Sequence, residues 1–164
     1  LHDALPIWPA LVNYNGTNYY YVHNLQGDII GLINTTGASV VSYTYDAWGK
    51  QLSCTGSLAN TLGTANPFRY RGYIYDQETG LYYLQSRYYN PEWGRFVNAD
   101  SLIGEVGSLL SHNLFAYCAN NPVNMADPSG SFLIPAIIIT ILAITSAISI
   151  TKAVCATKEV KRVS

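Results

Sequence analysis

Tyr43-Thr44-Tyr45-Asp46-Ala47-Trp48-Gly49 is answered 30 residues later by Tyr73-Ile74-Tyr75-Asp76-Gln77-Glu78-Thr79-Gly80. Two tyrosines two positions apart put both rings on one face of a strand, and the aspartate that follows opens a turn. Repetition of such a unit predicts stacked hairpins, none of which buries its own face alone. Outward from the first copy the same grammar continues. Tyr19–His23 is a strand candidate, closed by Asn24 and Gly27-Asp28. Ile29–Ile33 follows, then Asn34–Gly37, then the alternating run Ser39–Tyr45 and a turn at Trp48-Gly49. Short strands joined by Gly, Asn and Asp predict an all-β fold of meandering antiparallel hairpins. Cys54–Pro67, polar and small, reads as a loop.

Composition agrees and excludes several functions. The chain has 164 residues, nine basic and ten acidic, for a net charge of −1. Residues 1–130 carry five basic against nine acidic groups, with Lys50 the single lysine; residues 131–164 carry four against one. No basic face can neutralise phosphates, so no nucleic-acid partner is expected. All 14 tyrosines lie between Tyr14 and Tyr117, which suits a half-buried pleated surface and argues against disorder. Cys54, Cys118 and Cys155 are odd in number and lack metal-ligand spacing, and no glycine-rich loop opens a helix. Neither metal nor cofactor is expected. Cys118 reads as packing, His23 and His112 lack a partner at useful spacing, and Arg69, Arg71 and Arg87, interleaved with tyrosines, read as stacking or turn bonding within the sheet.

The chain begins at Leu1 and its only methionine is Met125, so a piece of a longer reading frame is expected. Leu1–Ile7 resembles a translated sequencing adaptor. Residues 1–13 are therefore set aside as scar and lead-in.

Between Phe68 and Gly130 the text becomes specific. Phe68-Arg69-Tyr70-Arg71-Gly72-Tyr73 leads to Thr79-Gly80-Leu81-Tyr82-Tyr83-Leu84, then Arg87-Tyr88-Tyr89-Asn90-Pro91 and Gly94-Arg95-Phe96. Asn113 and Tyr117 precede Asn120-Asn121-Pro122-Val123-Asn124 and Asp127-Pro128-Ser129-Gly130. In these motifs, over about Tyr14 to Gly130, the chain resembles the core domain that ends bacterial Rhs and YD-repeat proteins. The resemblance implies a β-strip wrapped into a shell, this piece at one end over 14–130, and a variable C-terminal region, often a toxin, from 131 to 164. It also implies self-cleavage just past Asp-Pro-x-Gly by two aspartates, here Asp100 and Asp127, with Arg95 as a neighbour and Gly130, Ser131 and Phe132 as the cleavage region. Two carboxyls sharing a site do not both ionise cheaply, so one serves as base and the other as acid. Asp127-Pro128-Ser129-Gly130 is equally good β-turn text. Two departures stand out: Asp100 is followed by Ser101, not proline, and Ser131 takes the place of the family's usual apolar residue.

Past Gly130 the composition changes. Residues 132–150 are uncharged, mostly Ile, Ala, Leu and Thr, followed by Lys152, Lys158, Lys161 and Arg162. That run predicts one hydrophobic C-terminal helix, long enough to span a membrane or to lie enclosed in the shell. Two functions are expected to compete. One is an Rhs-type polymorphic toxin core that encloses and releases its own C-terminal effector, is secreted or surface-exposed, and has an immunity protein as partner. The other is a non-enzymatic surface or wall-associated interaction protein whose tail contacts a membrane.

Overall fold

The computed structural model describes residues 9–100, 113–131, 133–135, 137, 138 and 141. Five strands form the first sheet in chain order: β1 (Leu11–Tyr14), β2 (Thr17–His23), β3 (Ile29–Ile33), β4 (Ser39–Tyr45) and β5 (Gln51–Thr55). Four short strands form the second, β6 (Ile74–Asp76), β7 (Leu81–Tyr83), β8 (Tyr88–Asn90) and β9 (Arg95–Phe96). Every pairing is antiparallel, so both sheets are meanders. The all-β reading holds, with β3 and β4 at the limits read from sequence and β2 two residues longer.

The turns share one chemistry. Asn24, Asn34, Asp46, Asp76 and Asn90 each accept backbone N–H groups on a side-chain oxygen: Asp46 Oδ1 takes Trp48 at 2.8 Å and Lys50 at 2.9 Å, and Asp76 Oδ1 takes Glu78 at 3.0 Å. An Asx side chain thus replaces the ladder bonds that a reversing backbone gives up.

Two clusters make the core. Ile29, Leu32, Val41 and Tyr43 line the first, and Tyr70, Tyr73, Tyr82, Tyr89, Phe96 and Tyr117 the second. The segment read as a plain loop joins in: residues Ala59–Gly63 form one wide helical turn that places Leu62, 1% exposed, in the first cluster. A lone leucine among polar residues carries no periodicity, so composition hid it.

Tyrosine hydroxyls join the sheets. Tyr70, Tyr89 and Tyr82 donate to three successive carbonyls of the β4–β5 turn, Ala47 at 2.9 Å, Trp48 at 2.6 Å and Gly49 at 2.9 Å. Their rings pack in series, Tyr45–Tyr70 at 6.0 Å, Tyr70–Tyr82 at 6.1 Å and Tyr82–Tyr89 at 6.3 Å between centroids. The turn presses so closely on this stack that a Cβ on Gly49 would lie 2.4 Å from Tyr70 Cδ1, and its φ of +86° also requires glycine.

Past Gly130 the apolar run opens as a strand. Ile134–Pro135 (β11) pairs with Met125–Ala126 (β10), so the helix expected from 132 does not start there; a proline without an N–H is suited to a strand edge. Most of 132–150 lies outside the described residues, and among those described no helix is long and apolar enough to cross a membrane.

Two outcomes follow for urea and alkaline unfolding. Tyr82→Phe leaves the buried Gly49 carbonyl without its donor and should cost about 1–3 kcal/mol, whereas Tyr20→Phe on the exposed side should stay within about 0.5 kcal/mol. Burial pushes the Tyr21 hydroxyl up from 10.0 to about 12 and raises those of Tyr43 and Tyr70 as well. The folded chain keeps protons that the unfolded chain surrenders above about pH 10. Stability should therefore be full below pH 10 and decline as pH rises toward 12, with tyrosinate absorbance appearing together with loss of structure.

Candidate functional site

Arg87 stands one residue before β8, on the same face as the buried Tyr89 two positions on, so the pleat turns its side chain inward. The residue is 6% exposed, and its guanidinium carbon lies 3.6 Å from the centroid of Phe96 on β9. A charge in that position must spend its donors, and every one named here has an acceptor. Nη1 donates to the Leu114 carbonyl at 3.0 Å, and Nε to the Gly130 carbonyl. Nη2 lies 3.0 Å from Asp100 Oδ2 and 3.4 Å from Asp127 Oδ2.

The two aspartates arrive from different places. Asp100 follows β9 and is fixed by its own N–H, which donates to the Leu114 carbonyl at 2.9 Å. Asp127 follows β10 and is fully buried. Its Oδ1 accepts the N–H of Gly130 at 2.7 Å and of Ser131 at 3.0 Å. Its carbonyl accepts the Tyr73 hydroxyl at 2.8 Å, and that phenol, like the Tyr117 phenol 3.1 Å away, is raised well above its ordinary range by burial.

The Gly130–Ser131 peptide is thus held at both ends, its carbonyl by Arg87 Nε and its N–H by Asp127 Oδ1. The segment lies along the Leu84–Arg87 turn: Ser86 Oγ donates to the Ser129 carbonyl at 2.7 Å and sits 2.8 Å from Ser131 Oγ. A Cβ on Gly130 would come within 2.7 Å of Ser86 Oγ and 2.9 Å of the Leu84 carbonyl, so only glycine fits at its φ of +80°.

The structure therefore places Asp100 and Asp127 on one guanidinium, with Gly130 and Ser131 against them; Phe132 lies outside the described residues. Arg95 is exposed on β9, in a cavity of about 370 Å³ lined also by Trp48, Glu92 and Asn113. The cation that joins the aspartates is Arg87. The sequence suggests stacking or turn bonding for it, and it does both, on Phe96 and on the Leu114 and Gly130 carbonyls; the signal missed for its place between the aspartates was its two-residue offset from the inward Tyr89. Cys118 is buried, and burial pushes its thiol up to about 12, which suits packing and not nucleophilic use. His112 lies outside the described residues, and His23 Nε2 is 3.0 Å from the Pro9 carbonyl. Among the described residues no group of three or more His, Cys, Asp or Glu side chains could hold a metal ion.

Comparison with known proteins adds a lineage. Residues 8–123 match the family described as Teneurin YD-shell. The tRNA nuclease WapA of Bacillus subtilis is 45% identical over 115 residues, 70% of this chain and 5% of that protein. The toxin protein Tse5 of Pseudomonas aeruginosa is 40% identical over 84 residues, 51% of this chain and 6% of that protein. Among solved structures, TcdB2-TccC3-TEV superposes with a TM-score of 0.62 at 30% identity, covering 72% of this chain and 5% of that one. The chain spans only about a twentieth of the length of these relatives.

The ion-pair geometry sets an expected ranking of substitutions. Arg87→Ala strips a buried guanidinium from two carboxylates and two carbonyls and should cost about 3–5 kcal/mol in urea unfolding. Arg95→Ala, at an exposed position, should stay within about 0.5 kcal/mol.

Proposed function

The chain belongs to the Teneurin YD-shell family, and we propose that it is the C-terminal core of an Rhs-type polymorphic toxin, one that encloses a C-terminal effector and releases it by cutting its own chain at Gly130–Ser131. In this reading residues 14–130 are the core and the effector region begins at 131. The observation that carries it is the single Arg87 guanidinium that gathers Asp100, Asp127 and the Gly130 carbonyl.

Each group has a role the chemistry of amide cleavage needs. Arg87 Nε, already on the Gly130 oxygen, receives the negative charge that grows there as the carbonyl carbon becomes tetrahedral. Asp127 Oδ1, already against the Ser131 nitrogen, is placed to pass to that nitrogen, as it leaves, the proton that Asp100 takes from the attacking water. Asp100, on the same guanidinium and 17% exposed at its side chain, is the base with access to solvent. Burial of Asp127 and Arg87 keeps these charges from being screened by water. The names of the relatives, a nuclease and a toxin, support a toxin core. Such a protein works outside the cell that makes it, and an immunity protein protects the producer.

One feature favours the second reading, an interaction protein with a membrane-contacting tail. Asp127 Oδ1 with its two backbone N–H donors is also an ordinary Asx turn.

Intact-mass measurement on the full chain separates them. The parent should yield a fragment ending near Gly130. Asp127→Asn and Asp100→Asn, each with the parent's circular dichroism, should slow that cut by about 10²–10⁴-fold. A parent that stays whole while folded leaves the interaction reading standing.

A further inference from the structure

We infer that the cavity beside Arg95 is a docking site for an acidic segment of another protein, one that presents an Asp or Glu carboxylate next to an aliphatic side chain. Arg95 is left over by the chemistry of the aspartate cluster. Phe96, the next residue, turns inward under Arg87, so strand alternation directs Arg95 to the opposite face of β9.

Charge points to the ligand. Arg69, Arg71 and Arg87 are buried and hydrogen-bonded to backbone carbonyls, whereas among the described residues no acceptor stands against the exposed Arg95 guanidinium. The two carboxylates that line the same cavity are already engaged. Asp46 Oδ1 accepts the N–H groups of Trp48 and Lys50 at 2.8 and 2.9 Å, and Glu92 Oε2 lies 2.8 Å from Lys50 Nζ. One guanidinium is therefore what the cavity still offers to a charge, and its planar fork of donors matches a carboxylate.

The walls are aromatic and held in place. Trp48 and Phe115 line the cavity together with Trp93, whose side is 67% exposed. Trp48 is fixed twice. Its carbonyl accepts the Tyr89 hydroxyl at 2.6 Å, and the Gly94 backbone lies so close to its ring that a Cβ there would be 2.9 Å from Cε3. The Trp93 N–H donates to Asn90 Oδ1 at 3.1 Å, and the Arg95 backbone pairs with Asn90 on one side and with Ala116 on the other. A ligand thus meets a preformed site and has little backbone to order. Three aromatic rings around one cavity differ from apolar residues scattered singly, and tryptophan beside arginine is the composition of interface hot spots. The space of about 370 Å³ is near the lower end for ligand sites, which suits about two or three side chains of a loop. An aliphatic neighbour covers the indoles while the carboxylate meets Arg95; a cationic ligand would be repelled there.

Calorimetric titration of the full chain with acetyl-Leu-Asp-Leu-amide provides the test, with acetyl-Leu-Asn-Leu-amide as the uncharged counterpart. The acidic peptide should bind saturably and at least about tenfold tighter than the neutral one. Arg95→Ala should weaken it about 10–100-fold, Arg95→Lys less because a point charge replaces the fork, and Trp93→Ala about tenfold, all with unchanged urea midpoints. Equal binding of the two peptides, full binding by Arg95→Ala, or no saturation at millimolar peptide would overturn the assignment. Acetate bound as tightly as the peptide would overturn it in favour of a plain anion site. Uptake of an N-acetylglucosamine trimer in place of the peptide would overturn it in favour of a saccharide site.

Discussion

A buried phenol must find an acceptor, and that requirement ties this molecule together. Tyr70, Tyr82 and Tyr89 come from the second meander, and their hydroxyls end on carbonyls 47, 49 and 48 of a turn in the first. A reversing backbone leaves just such carbonyls without ladder partners, and phenylalanine could fill the volume but not satisfy them. The exchange is mutual: the turn gains donors, and the tyrosines gain a reason to sit in one register. Because the rings also stack in series, the two apolar clusters behave as one core rather than two small ones, neither of which could support a sheet alone.

The three buried arginines extend the same logic to irregular backbone. Arg69 donates to the carbonyls of Asn66, Gly63 and Thr64, Arg71 to those of Gln26 and Pro122, and Arg87 to those of Leu114 and Gly130. Each also covers an aromatic face, Tyr75 at 4.8 Å, Tyr70 at 5.3 Å and Phe96 at 3.6 Å. A planar cation with several donors can fasten a loop that has no ladder of its own, and lysine could not. This explains why a body so poor in charge keeps its arginines among tyrosines.

Much of the fold was legible because its signals are local. An Asn or Asp with a glycine three or four residues on marks a turn by chemistry confined to that turn, and β3 and β4 therefore fall where the residues say. The pairing of Asp100 with Asp127 was legible only through resemblance to the family's text, since no local rule joins residues so far apart. Arg87 was read correctly for stacking and turn bonding and missed for its bridging of the two aspartates. Its partner Asp127 is 40 positions away, and a contact of that span is visible only once β7, β8 and β9 are paired. Leu62 escaped for the opposite reason, being one apolar residue without neighbours to set a period. In the run after Gly130, apolar composition suggested helix, while the chain first pairs Ile134 with Ala126, because β10 offers an open edge.

The Asx turns themselves show what is unusual at Asp127. Asn24, Asn34, Asp46, Asp76 and Asn90 do their work at half-buried or exposed positions. Such a turn asks only for a side-chain oxygen, and asparagine serves as well as aspartate. At 127 the side chain is fully enclosed, so a carboxylate costs far more to bury than an amide would, and the chain meets that cost with a guanidinium that it must also bury. A turn alone gives no cause for either expense. The arrangement gains one from its geometry: the same cation that compensates Asp127 reaches a second carboxylate and the carbonyl of the peptide whose nitrogen Asp127 already holds. Asp28 and Arg71 are likewise buried together, 3.5 Å apart, so it is the convergence of two carboxylates and one peptide on a single cation, and not buried charge by itself, that sets Asp127 apart.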